Sequence, residues 1–104
     1  MIKIVAISDT HGYLPTDLPE GDILCICGDI SPLNIQKDGH KMKQWLRDKF
    51  KPWANNLNYD RIIFIGGNHD FMGQYNPGFM LDLFPIHEKV VYLCNSEFIY
   101  EKII

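Results

Sequence analysis

The sequence is poor in cysteine, with 3 in 104 residues, namely Cys25, Cys27 and Cys94. An odd, sparse set does not build a disulfide framework and fits a reducing compartment, so the reading is cytoplasmic. Cys25 and Cys27 alternate along one extended run and share a side, which is poor geometry for joining them. They read as small buried side chains rather than metal thiolates. No apolar run reaches the roughly 18 residues of a membrane span. The first residues carry no basic stretch leading into a long apolar one, so no signal peptide is expected. Charge of one sign is never concentrated. The formal net charge is −3, and the closest approach to a basic patch (Lys37, Lys41, Lys43, Arg47, Lys49, Lys51) is diluted by Asp38 and Asp48. That pattern reads as a solvated helix face, not the basic stripe of an extended nucleic-acid surface. Internal repeats and low-complexity tracts are also lacking.

What is present reads as one domain, 46% hydrophobic, with enough apolar residues for a modest core. Residues 2–8, 22–27 and 61–65 are near-continuous apolar runs, as expected of parallel strands covered on both faces. Residues 12–21, with Pro15 and Pro19, and residues 31–39 read as loops. Met42, Trp45, Leu46, Phe50, Trp53, Ala54 and Leu57 recur at helical spacing, with Trp45 and Trp53 in a core-facing stripe. Pro52 inside that pattern predicts a kink or a second short helix. A weaker helical segment covers 78–84. Residues 89–93 and 97–103 read as two adjacent strands joined by a tight turn at Cys94-Asn95-Ser96. The last run stays apolar to Ile104 and wants cover. The expectation is a chain cut inside a fold, or one that completes its sheet with another molecule.

Each of the first three strands runs into ligand chemistry. The first ends in Asp9-Thr10-His11, the second in Gly28-Asp29, the third in Gly66-Gly67-Asn68-His69-Asp70. Sites in open α/β sheets form outside the carboxyl ends of parallel strands, so these segments are expected to converge. Asp9 and His11, two apart just past a strand, project to one side. Carboxylate with imidazole suits Mn, Fe or Zn better than Ca. The Asp29 carboxylate can offer one oxygen to each of two cations. Asn68 offers a neutral carbonyl oxygen. His69 can act on substrate as a general acid, and Asp70 can fix its tautomer and raise its basicity.

D-x-H, then G-D, then G-G-N-H-D, each closing a strand, resembles the calcineurin-like metallophosphoesterase family. The chain looks closest to its small phosphodiesterase branch, which contains the vertebrate foetal-brain metallophosphoesterases. The matching text is ISDTH, the GDIL run into CGD, the W-L helix, IIFIGGNHD and VVYLCNSE. The resemblance implies an α/β sandwich of two sheets flanked by helices, of which residues 1–104 supply the N-terminal half, mostly parallel with a C-terminal hairpin. It implies a dinuclear-metal hydrolase that cleaves phosphodiesters or phosphomonoesters with a metal-bound hydroxide. Asp9 and His11 would bind the first metal, Asp29 would bridge, Asn68 would bind the second, His69 would lie beside the substrate and Asp70 would orient His69. The metals would be two of Mn, Fe, Zn or Mg, and the substrate a small phosphorylated molecule such as a cyclic nucleotide. The family's later G-H-x-H histidines have no match here. His40 and His87 read as exposed loop residues, so the second metal site is expected to be weak. The alternative is a non-catalytic metal- or phosphate-binding fragment, or half of a split enzyme joined to a second polypeptide through the open sheet edge.

Overall fold

A computed structural model describes residues 1–35, 37–66, 77–93 and 97–101. Its described residues form one sheet of 4 parallel strands in chain order: β1 (Ile4–Ile7), β2 (Ile23–Ile26), β3 (Arg61–Phe64) and β4 (Val90–Tyr92). Ile4 lies opposite Ile23, Ile23 opposite Arg61, and Ile62 opposite Val90. The α/β class and parallel sheet are as the sequence implied. Between β2 and β3 run α1 (Gly39–Trp45), a π turn (Leu46–Phe50) and α2 (Lys51–Asn56). Helix α3 (Pro77–Leu83) connects β3 to β4.

Strands in chain order, joined by crossovers of one hand, place the helices on one face of the sheet. On that face Leu24, Ile26, Ile62, Phe64, Val90 and Tyr92 point at Met42, Leu46, Phe50, Ala54, Met80 and Phe84 to make the core. The other face is incompletely covered: Ile4 is 61% exposed, Ala6 is exposed, Cys25 is half-buried and Cys27 exposed. Two expectations are corrected here. The first strand is not covered on both faces, and the cysteines are not both buried, because no helix stands on their side among the described residues. Partial burial pushes the Cys25 thiol above its ordinary pKa, and the neighbouring Cys27 adds to the rise.

Rings from the π turn, β3, β4 and the residue just after α3 close the core. Phe64 lies 4.9 Å from both Phe50 and Phe84 and 5.2 Å from Tyr92. The Phe64–Phe84 pair is edge-on at 89°, a favoured arrangement of ring quadrupoles. Trp45 and Trp53 pack against this cluster from its margin, each 5.7 Å from Phe50. The Asp38 side chain caps α1 by accepting from the Lys41 N–H at 3.1 Å, which satisfies a helix donor that has no partner inside the helix. His40 therefore lies in the first turn of α1, exposed, and not in a loop. Pro52 stands in the first turn of α2, the second short helix that the sequence offered as the alternative to a kink. It lacks the N–H that the Asp48 carbonyl would receive, and in a regular helix its ring would press on that carbonyl. The preceding turn widens instead, with the Lys51 N–H donating to the Leu46 carbonyl five residues back.

Two side chains pin the Pro-containing connection between β1 and β2. The Trp53 Nε1–H donates to the Pro15 carbonyl at 2.8 Å, and the Tyr59 hydroxyl donates to the Pro19 carbonyl. The Lys89 amine donates to the carbonyls of Asn55 and Leu57 at the carboxyl end of α2, where a cation also complements the helix dipole.

The chain after β4 departs from the expected hairpin. Residues 97–101 carry no strand; the turn at Cys94-Asn95-Ser96 and residues 102–104 lie outside the described residues. Among the described residues, 97–101 is tied to the sheet by a side chain. The Tyr100 hydroxyl donates to the carboxylate of Asp60, just before β3, while Ile99 stays 77% exposed.

Candidate metal centre

Adjacent parallel strands β1 and β2 end side by side, and their backbone pairing continues past the strands. The Asp9 N–H donates to the Gly28 carbonyl at 3.1 Å, His11 N–H to the Asp29 carbonyl at 3.1 Å, and Gly12 N–H to the Ile30 carbonyl at 2.7 Å. This ladder locks the two ligand-bearing loops in register. Asp9, His11 and Asp29 each offer a donor atom, and these atoms all lie within 4.8 Å of one another.

The backbone at this point is unusual. Asp9, His11 and Asp29 have φ of 56°, 45° and 54°, the positive-φ non-glycine residues among those described, and Gly12 and Gly28 beside them have φ of 92° and 99°. Left-handed backbone costs an L-residue on the order of 1–2 kcal/mol. Such strain persists only where the surroundings hold it, and it gathers at functional sites. The sequence reading brought Asp9 and His11 together by strand alternation; the chain achieves it through left-handed turns. Asp and His are among the residues most often found at positive φ, and the flanking glycines are the signal that could have shown it. Gly12 serves a second purpose. A Cβ there would lie 2.8 Å from Pro32 Cγ, so only glycine lets the two loops close.

Asp9 is exposed, and His11 and Asp29 are half-buried. The Ser8 hydroxyl donates to Asp9 Oδ2 at 2.8 Å, which holds that carboxylate in place. His11 keeps its Nδ1 away from solvent. Two carboxylates this close repel each other, and a divalent cation between them converts the repulsion into binding. Mixed oxygen and nitrogen donors fit a borderline divalent ion. Asn68, His69 and Asp70 lie outside the described residues; β3, which leads to them, ends beside β2 on the same edge of the sheet. His87 is exposed and not part of the triad.

The ligand geometry at parallel strand ends matches a family by sequence as well. The chain belongs to the calcineurin-like phosphoesterase family, whose model covers residues 2–102. Human metallophosphoesterase domain-containing protein 1 is 33% identical over 82 residues, and the mouse protein of that name is equally similar. The aligned stretch is 78% of this chain but 22% of either relative, so the chain spans about a fifth of their length. Probable rhamnogalacturonate lyase C of Emericella nidulans is 31% identical over 70 residues, which is 67% of this chain and 6% of that protein. Among the described residues no helix is long and apolar enough to cross a membrane.

Proposed function

We propose that this chain carries the cation- and phosphate-binding core of a dinuclear phosphoesterase that acts on small phosphodiesters or phosphomonoesters, with cyclic nucleotides as a candidate class. The observation that carries the reading is the convergence of Asp9, His11 and Asp29 donors within 4.8 Å at the carboxyl ends of two paired strands. In this reading Asp9 and His11 hold the first cation, and Asp29 is shared with a second held by Asn68. Bound Mn, Fe, Zn or Mg ions would offset phosphate charge and lower the pKa of water so that it attacks phosphorus. His69 donates a proton to the leaving-group oxygen, and Asp70 holds the His69 ring in the tautomer that can do so. Association through the open sheet edge, with a second copy or a second-half polypeptide, belongs to the same reading. Its support is that β4 has no strand on its outer side among the described residues.

The test is Mn²⁺-dependent hydrolysis of bis(p-nitrophenyl) phosphate by the purified chain, with Asp29→Asn as control. Metal-dependent turnover that the substitution abolishes supports the proposal. A second reading is a module that holds cation and phosphate without turnover; its support is the Asp9, His11 and Asp29 donors within 4.8 Å of one another, which account for binding alone. A folded chain that binds Mn²⁺ tightly yet leaves the diester intact would replace the first reading with the second.

A further inference from the structure

We infer that Cys25 and Cys27 form a two-thiolate site for a soft monovalent cation, Cu(I), on the open face of the sheet. Burial alternates along this stretch. Leu24 and Ile26 are buried in the core under the helices, while Cys25 is half-buried and Cys27 exposed. Strand pairing carries on through Cys27, whose N–H donates to the Ile7 carbonyl at 2.8 Å, and on the other side the Ile65 N–H donates to the Ile26 carbonyl at 3.1 Å. The two thiols therefore project from the same face, at successive same-side positions. Burial, and then the nearby Cys27, hold the Cys25 thiol above its ordinary pKa, so the two groups sense each other.

The sequence reads both cysteines as packing residues, but an exposed Cys27 fills no core. Spacing then decides the chemistry. Successive same-side positions on a strand lie about 6.6 Å apart. A disulfide asks for Cβ atoms about 3.5–4.5 Å apart, so the pair does not close on itself. A linear sulfur–metal–sulfur bridge with bonds of about 2.3 Å holds its sulfurs about 4.6 Å apart, and each sulfur reaches that by leaning about 1 Å toward the other. Cu(I) is a soft ion that takes two thiolates in line, whereas structural zinc takes a tetrahedral set. The neighbours fit as well. Ala6 and Ile63 stand beside Cys25 on β1 and β3, and their side chains offer no oxygen to a hard cation. Harder ions have their own donors in Asp9, His11 and Asp29, a cluster that does not include Cys27. Loading exchanges two protons for one ion. Two S–H bonds break, two Cu–S bonds form, both protons pass to water and no electron moves.

The experiment is an anaerobic titration of the full chain with Cu(I) held by the chromogenic chelator bicinchoninate. The chain carries Cys94→Ser, so that Cys25 and Cys27 are its remaining thiols. One Cu(I) per chain should leave the chelator, and its X-ray absorption spectrum should show two sulfur neighbours. Adding Cys25→Ser or Cys27→Ser should weaken uptake by on the order of 10²–10⁴-fold, the loss expected when the second contact is no longer intramolecular. Circular dichroism checks that each variant is folded, and the exposed position of Cys27 keeps the test informative if Cys25→Ser is not. Asp29→Asn should leave Cu(I) uptake unchanged, which separates this site from the proposed metal centre. No transfer from the chelator, one Cu(I) shared by two chains, undiminished affinity in folded Cys27→Ser, or uptake lost in Asp29→Asn overturns the inference.

Discussion

Replacing Asp29 separates its chemistry from its backbone strain. Asp29→Ala and Asp29→Gly both remove the carboxylate and its repulsion from Asp9. Only glycine also removes the Cβ from a residue held at φ 54°. The left-handed conformation costs about 1–2 kcal/mol with a Cβ. Glycine gives back about 0.5–1 kcal/mol through the extra freedom of its unfolded chain. The net advantage of glycine over alanine is therefore on the order of 1 kcal/mol. For a domain near this size, that moves Tm by about 4–8 °C. Thermal melts followed by circular dichroism in a chelator read the difference directly. The same pair at Gln44, exposed within α1, is the control. There the order must reverse, with alanine the more stable, because glycine costs helix about 1 kcal/mol. If Asp29→Ala melts at or above Asp29→Gly, the strain is not stored there and the reasoning fails.

Gly12→Ala should be worse than either Asp29 variant. It meets Pro32 Cγ at 2.8 Å as well as a φ of +92°, so a drop in both Tm and Mn²⁺ affinity is expected, read by melts with and without metal. At the opposite end of the sheet, the hydrogen bond to the Asp60 carboxylate pushes the Tyr100 pKa up to about 12. The raised value means that its contribution to stability is complete below the ordinary tyrosine value of 10.0 and is lost as pH rises through about 12. Ultraviolet absorbance titration should show a late-titrating Tyr100 whose pKa falls in Asp60→Ala, while Tyr59, raised by its own burial, stays above the ordinary value; an unchanged titration would disprove the contact.

Much of this architecture is written in periodicity. The apolar runs 2–8, 22–27 and 61–65 end one residue past the observed strand ends at Ile7, Ile26 and Phe64, and the stripe from Met42 to Ala54 is the buried side of the crossover helices. Convergence of Asp9, His11 and Asp29 was legible because strand ends in parallel sheets share one edge. The left-handed turns were not, since they arise from how two loops close on each other, and Pro32 against Gly12 is a contact between distant residues. Coverage of the sheet was misjudged for a similar reason. Apolar content in residues 2–8 says that a strand is sticky, not which face the helices will take. Pro52 was rightly marked as a disturbance, but a widened turn and a kink leave the same trace in sequence. The expected second arm is not a strand over residues 97–101, where Tyr100 reaches Asp60, a pairing that no local pattern encodes.

The order of synthesis adds a constraint on how the centre is filled. All three described donors are made by residue 29, whereas the rings that brace the sheet arrive as Phe50, Phe64, Phe84 and Tyr92. A nascent chain that has released only β1 and β2 holds two short parallel strands with no helix over them, which is too little to stand alone in water. The ligand loops thus exist as sequence well before they exist as geometry. On the proposed reading, cation uptake follows closure of the aromatic core, and ribosome-bound chains stalled before Phe64 should leave Mn²⁺ in solution while released chains of all 104 residues retain it.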